Sequence, residues 1–157
     1  MKTTRRAFLL LAAGSAIAPA ALAQLPPNIQ AQRRAALAEA IGKVTGGAPV
    51  RPGRVKLELP PLIDNGNSVP LVVSVESPMT EADHVRAIHV FTEKNPQPNV
   101  ISAWLGPRAG RARLATRARI ADTGVVTALA QMSDGSFWSD RVDVVVTLSA
   151  CLEDGLI

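Results

Sequence analysis

Beyond Gly46-Gly47 the chain changes its hydrophobic period, and that change limits the folds open to it more than any other feature. Val55, Leu57 and Leu59 alternate with Lys56 and Glu58. After the turn-forming run Asp64-Asn65-Gly66-Asn67, the residues Val69, Leu71, Val73 and Val75 line one face of a second extended segment. Further runs follow at 85–92, 99–105, 111–121, 125–132 and 141–149. They are separated by Asn95-Pro96-Gln97-Pro98, Gly106-Pro107, Thr123-Gly124 and Ser133-Asp134-Gly135-Ser136. The spacing predicts an all-β fold, an immunoglobulin-like antiparallel β-sandwich of about seven strands. A small closed barrel satisfies the same pattern. Upstream, residues 28–45 are rich in Ala, Arg and Gln, and Leu37, Ile41 and Val44 fall at i, i+4, i+7, which predicts one N-terminal helix stopped by Gly46-Gly47.

The first 23 residues read differently. Lys2, Arg5 and Arg6 precede a short run of apolar and small residues, and Ala21-Leu22-Ala23 closes it. These are the parts of a cleavable export signal, and Gly14, Ser15 and Pro19 interrupt the apolar stretch too early for a membrane anchor. Thr4-Arg5-Arg6-Ala7-Phe8-Leu9 carries the paired arginines of a twin-arginine signal; a general secretory signal with two arginines is the alternative. Both routes lead to the bacterial periplasm. Expected boundaries are therefore the signal at 1–23, the helix at 24–47, the sandwich at 48–148 and a C-terminal arm at 149–157.

Charge and aromatic content narrow the partners. The formal net charge of +4 falls to about +1 without the signal, because 14 basic then face 13 acidic side chains. Aromatics are 3% of the chain and Tyr is absent, so the platforms on which nucleic-acid bases stack are missing. The composition argues against nucleic acid or a membrane surface as partner.

One residue carries distinctive chemistry. Cys151 is the sole cysteine, so it forms no intramolecular disulfide in an oxidising compartment. A buried structural thiol, an intermolecular link and a reactive group all remain open, and its place after the last strand-like run favours the latter two. Glu153 and Asp154 just beyond it disfavour the thiolate, which suits an attachment point activated by another protein's site better than a self-sufficient nucleophile.

The run 111–121 shows the cleanest alternation. Ala112, Leu114, Thr116, Ala118 and Ile120 point one way, and Arg111, Arg113, Arg117 and Arg119 point the other. Four guanidinium groups suit an acidic partner surface or an anion; a solvated outer face is the plain alternative. Asp83-His84 with His89 invites a metal reading, but two histidines and one distant cysteine give no ligand set of zinc-like spacing. Met79 in Pro78-Met79-Thr80 hints at copper and reads better as packing. With no G-x-S-x-G, phosphate loop or dinucleotide fingerprint, no metal, cofactor or catalytic residue is assigned.

Taken in order, these segments resemble the SoxY family, the sulfur-carrying subunits of bacterial thiosulfate oxidation. The resemblance runs through Gly46-Gly47, Pro52-Gly53-Arg54-Val55, Leu59-Pro60, Asp64-Asn65-Gly66 and Val69-Pro70-Leu71. It continues through Val75 to Thr80, Asp83-His84, Asn95-Pro96 with Pro98, Gly110-Arg111-Ala112 and Thr116-Arg117. Ser133-Asp134-Gly135, Trp138 and the strand Val144 to Thr147 then lead to Cys151. It implies a periplasmic carrier that catalyses nothing itself and holds sulfur intermediates covalently on Cys151. It also implies a heterodimer with a second small β subunit, SoxZ, and transient docking with other Sox components, including a haem-containing oxidase and a sulfate-releasing hydrolase. The family's arm typically reads Gly-Gly-Cys-Gly-Gly. Here Ser149-Ala150 precede the cysteine, and Leu152-Glu153-Asp154 begin the six residues after it. Two functions follow: a carrier with an altered arm, or a SoxY-like binding module that keeps the fold and partner surface without carriage.

Overall fold

No β-branched residue occurs between Gln30 and Ala40, and this Ala-rich run forms the core of the 19-residue helix α1 (Pro27–Thr45). The computed structural model describes residues 27–149; the expected export signal at 1–23 and Cys151, with the expected arm beyond Ser149, lie outside them. Pro27 at the first turn needs no N–H partner, which suits it to that position. Gly46 and Gly47 end the helix at φ values of 61° and 84°, the left-handed region that favours glycine, and the Gly46 N–H donates to the Gly42 carbonyl at 2.8 Å. Leu37, Ala40, Ile41 and Val44 form the stripe that packs on buried Phe91, Leu129 and Phe137.

Nine strands follow. β1 (Val50–Pro52), β5 (Val85–Thr92), β6 (Asn99–Trp104), β8 (Gly124–Met132) and β9 (Phe137–Leu148) make the larger sheet in the order β1-β9-β8-β5-β6, and β3 (Leu62–Asn65) joins it beside β9. β2 (Val55–Glu58), β4 (Val69–Val75) and β7 (Arg113–Ala118) make the smaller sheet in that order, with β4 central. The inner faces meet in one core. Val55, Leu57, Leu71 and Val73 from the small sheet pack with Ile88, Val90, Val126, Val144 and Val146 from the large one. Each such side chain contributes about 1.5–3 kcal/mol through burial. β5 is buried on both faces because α1 covers Phe91 while the sandwich covers Ile88 and Val90. Its residues Ala87, Ile88, Val90 and Phe91 therefore put apolar side chains on both faces instead of alternating apolar with polar.

The sandwich with one N-terminal helix is the fold the pattern predicts. The strand inventory differs in three places. First, β1 and β3 are extra, and both pair with β9 in parallel, unlike the antiparallel remainder. Neither can stand alone: β1 ends in Pro52, and β3 ends in the turn-formers Asp64-Asn65. The exposed backbone edge of β9 recruits them. Second, β9 begins at Phe137 instead of 141, because Ser139 and Asp140 pair with β8 and Asp140 Oδ2 accepts the Leu57 N–H at 2.8 Å. Third, β7 is shorter than 111–121, which leaves Arg111 and Arg119 just outside the strand; the residues before it turn through a 3-10 segment at Pro107–Ala109.

Candidate functional site: the root of the C-terminal arm and the arginine face

β9 delivers the chain to Leu148, three residues before Cys151. The backbone here is fixed from several sides. The Gly66 N–H donates to the Leu148 carbonyl at 3.1 Å, and Thr123 Oγ1 accepts the Val146 N–H at 2.9 Å. Thr147 Oγ1 lies 3.2 Å from the Asp64 carbonyl, and the Ser149 hydroxyl donates to Asp122 Oδ1 at 3.4 Å. The arm thus leaves from a root held by β3 on one side and the β7–β8 connection on the other. Nothing in the bare sequence pointed to Thr123 or Asp122. Both look like turn residues, and their role depends on chain segments more than 20 residues apart.

The opposite end of β9 is closed by Trp138. The guanidinium carbons of Arg51 and Arg54 each sit 5.8 Å from its ring centroid. Arg54 also pairs with Asp83 at 3.2 Å and donates from Nε to the Glu76 carbonyl at 3.0 Å. Gly53, at φ 104°, makes the turn that places Arg54 there; L side chains rarely adopt that conformation.

Arg113 and Arg117 lie on the outer face of β7, the small sheet's edge strand, alternating with Leu114 and Thr116, and Arg111 and Arg119 are exposed just beyond its two ends. Arg117 is anchored: Nε donates to Ser68 Oγ and Nη2 to the Ser68 carbonyl, both at 2.7 Å. Arg113 faces the side of the sheet that carries the Lys56–Glu58 ion pair. Lys56 holds the Glu58 carboxyl below its usual range, and Arg113 adds a smaller pull in the same direction. Arg117 and Arg119 border an open groove of about 520 Å³ with Asn95, Gln97 and Asn99, between the exposed edges of β6 and β7.

The histidines stay apart in role. His84 Nδ1 lies 3.0 Å from the Thr80 carbonyl, in a loop where Asp83 is engaged by Arg54. His89 is buried on β5, 2.8 Å from Ser102 Oγ, and burial pushes its imidazole below the usual range. Met79 is buried, with its sulfur 3.5 Å from the Val85 N–H, which is packing. Among the described residues no three His, Cys, Asp or Glu side chains gather as metal ligands. No described helix is long and apolar enough to cross a membrane.

Comparison with known proteins bears on this geometry. Among solved structures, the sulfur carrier protein SoxY from Chlorobium limicola f thiosulfatophilum matches with a TM-score of 0.61 at 26% identity, over 73% of this chain and 99% of that one. A superoxide reductase (neelaredoxin) from Ignicoccus hospitalis matches with a TM-score of 0.53 at 19% identity, over 60% of this chain and 80% of that one. A putative superoxide reductase from Thermotoga maritima matches with a TM-score of 0.50 at 21% identity, over 65% and 89%. At those two identities the likeness is one of fold alone. No curated protein sequence matches the chain. The family profile described as sulfur oxidation protein SoxY matches residues 41–151, from within α1 to Cys151 itself, and the chain belongs to the SoxY family.

Proposed function

We propose that this protein is a sulfur carrier of thiosulfate oxidation, with Cys151 as the point of covalent attachment. The observation that carries the reading is the reach of the family match: it runs the length of the sandwich and ends on the one cysteine in the sequence. Joining a thiol to the outer sulfur of thiosulfate forms one S–S bond and releases one proton and two electrons. On this reading a partner oxidase takes the electrons, and the chain itself supplies only the thiol and its delivery. Export by the twin-arginine route places the carrier in the periplasm, and a second β-rich subunit of the SoxZ kind completes it as a heterodimer. The exposed faces of Arg111, Arg113, Arg117 and Arg119 offer that subunit a docking surface.

The composition of the arm supports a second reading. Side chains at Ser149, Ala150, Leu152 and Glu153 stand where the family usually has glycine, and with Asp154 they narrow the backbone freedom and add bulk and charge beside the thiol. A binding module that has lost carriage would tolerate them. Intact mass spectrometry of protein from thiosulfate-grown cells separates the two. The carrier shows added sulfur mass that a reductant removes and that Cys151→Ser abolishes, together with native-state alkylation of Cys151 that Glu153→Gly with Asp154→Gly accelerates. A Cys151 that alkylates readily and never gains sulfur leaves the binding module standing. One that alkylates only in denaturant removes the carrier.

A further inference from the structure

Among the described residues six large apolar side chains are exposed, and three of them gather on the outer face of the large sheet near the end of β9: Leu62, Val125 and Val145. Pairing register shows how. Leu62 lies opposite Val145 in the parallel β3–β9 pair. Val125 lies opposite Asp143 on β9, two residues from Val145, so the three side chains share the outer face. Leu148, the last residue of β9, alternates to the other face with buried Val144 and Val146 and is exposed at the strand's end. Leu62 is 59% exposed, Val145 52% and Val125 40%, values at which burial contributes little to the fold. The edge of the patch is polar and of mixed sign: Asp64 and Asp143 are exposed, and Lys94 lies against Gly124.

We propose that this patch is the docking surface for the partner enzymes that receive Cys151, and that it meets an apolar collar around the opening of their active sites. The inference rests on the carrier reading and deepens it. Its warrant is reach. Three residues span at most about 11 Å, so whatever the arm's conformation, Cys151 stays within that distance of Leu148. A protein that encloses the thiol has to lie against this end of the sandwich. Contact there covers the three apolar side chains, which supply attraction, while the mixed-sign edge contributes little. A thiol that must be passed between several enzymes needs a common attractive surface beside it, and an apolar patch supplies one without charge specificity.

The test uses the full chain in thiosulfate-oxidising cells. The initial rate at which Cys151 gains reductant-removable sulfur mass is measured for the unaltered protein, for Leu62→Lys with Val145→Lys, and for Val125→Lys as a second, single disturbance of the same patch. Trp104→Lys, at an exposed residue away from the arm, serves as the control. Alkylation of purified Cys151 by iodoacetamide reports on the thiol itself. The expected result is loading slowed at least about tenfold by the patch variants, with alkylation and circular dichroism unchanged and the Trp104 control loading normally. Loading at the unaltered rate overturns the docking surface and leaves the carrier standing. Parallel changes in loading and alkylation overturn it in favour of the chain's own tail, residues 152–157, covering the patch. A dimer that dissociates in the variants while loading persists overturns it in favour of a second copy. Absence of sulfur on the unaltered protein removes the carrier reading, and this inference with it.

Discussion

The two ends of β9 are built to opposite specifications. At its start, Arg51 and Arg54 each lie over the Trp138 ring, and Arg54 is itself tied to Asp83 and the Glu76 carbonyl. Polar groups there find partners within the chain. At its finish the backbone is just as firmly held, by Gly66 and Thr123, yet the side chains are apolar and face water. One end spends its side chains on the fold, and the other keeps them for something outside it. The same strand thus joins a part that stabilises to a part that presents.

Trp138→Ala tests this division with the largest effect. Removing a half-buried indole that two cations lie over should destabilise the protein by about 2–3 kcal/mol in urea unfolding. The native alkylation rate of Cys151 should stay within about twofold. A change in that rate comparable to the loss of stability would show that the two ends are coupled and break the comparison.

A smaller effect comes from the sheet between them. Burial lowers the His89 pKa relative to the unfolded chain, so its contribution is fully present above the unfolded value and is lost as pH falls below about 6.5. Stability should decline between pH 7 and pH 5, by at most about 1.4 kcal/mol per pH unit from this group, and His89→Gln should flatten the decline. A profile unchanged by that substitution would move the acid sensitivity to other groups.

The smallest effect on the fold belongs to the arginine face. Arg113→Glu with Arg117→Glu should shift unfolding by no more than about 1 kcal/mol, mostly through the lost Ser68 anchor, because these side chains face solvent. The same pair should weaken a co-expressed heterodimer measured by light scattering. Unchanged affinity would remove the arginine face as a partner surface, leaving the arm end as the presenting region.

How much of this could be read in advance follows the range of the interactions. The α1 stripe, β2, β4 and the Arg111 to Arg119 alternation were legible because a strand or helix with one wet face writes its period locally. β1 and β3 were not, since three or four residues beside Pro52 or before Gly66 carry no period of their own and exist only against β9. The first residues of β9 were hidden for a related reason: Ser139-Asp140-Arg141 reads as a turn until the β2 edge supplies a partner for Asp140. Cys151 stood out as the sole thiol, whereas the exposed patch near it is assembled from three strands and appears in no single stretch of sequence.

The placing of β9 has a mechanical consequence. It is hydrogen-bonded along one edge by β8 and along the other by β1 at its start and β3 at its finish, and at about 3.3 Å per residue its 12 residues run nearly 40 Å through the sheet. A pull on Leu148 along the strand acts across bonds that lie roughly perpendicular to it. Those bonds carry the load together, in shear, instead of opening one after another. The chain that continues past Leu148 toward Cys151 therefore starts from a stiff internal beam.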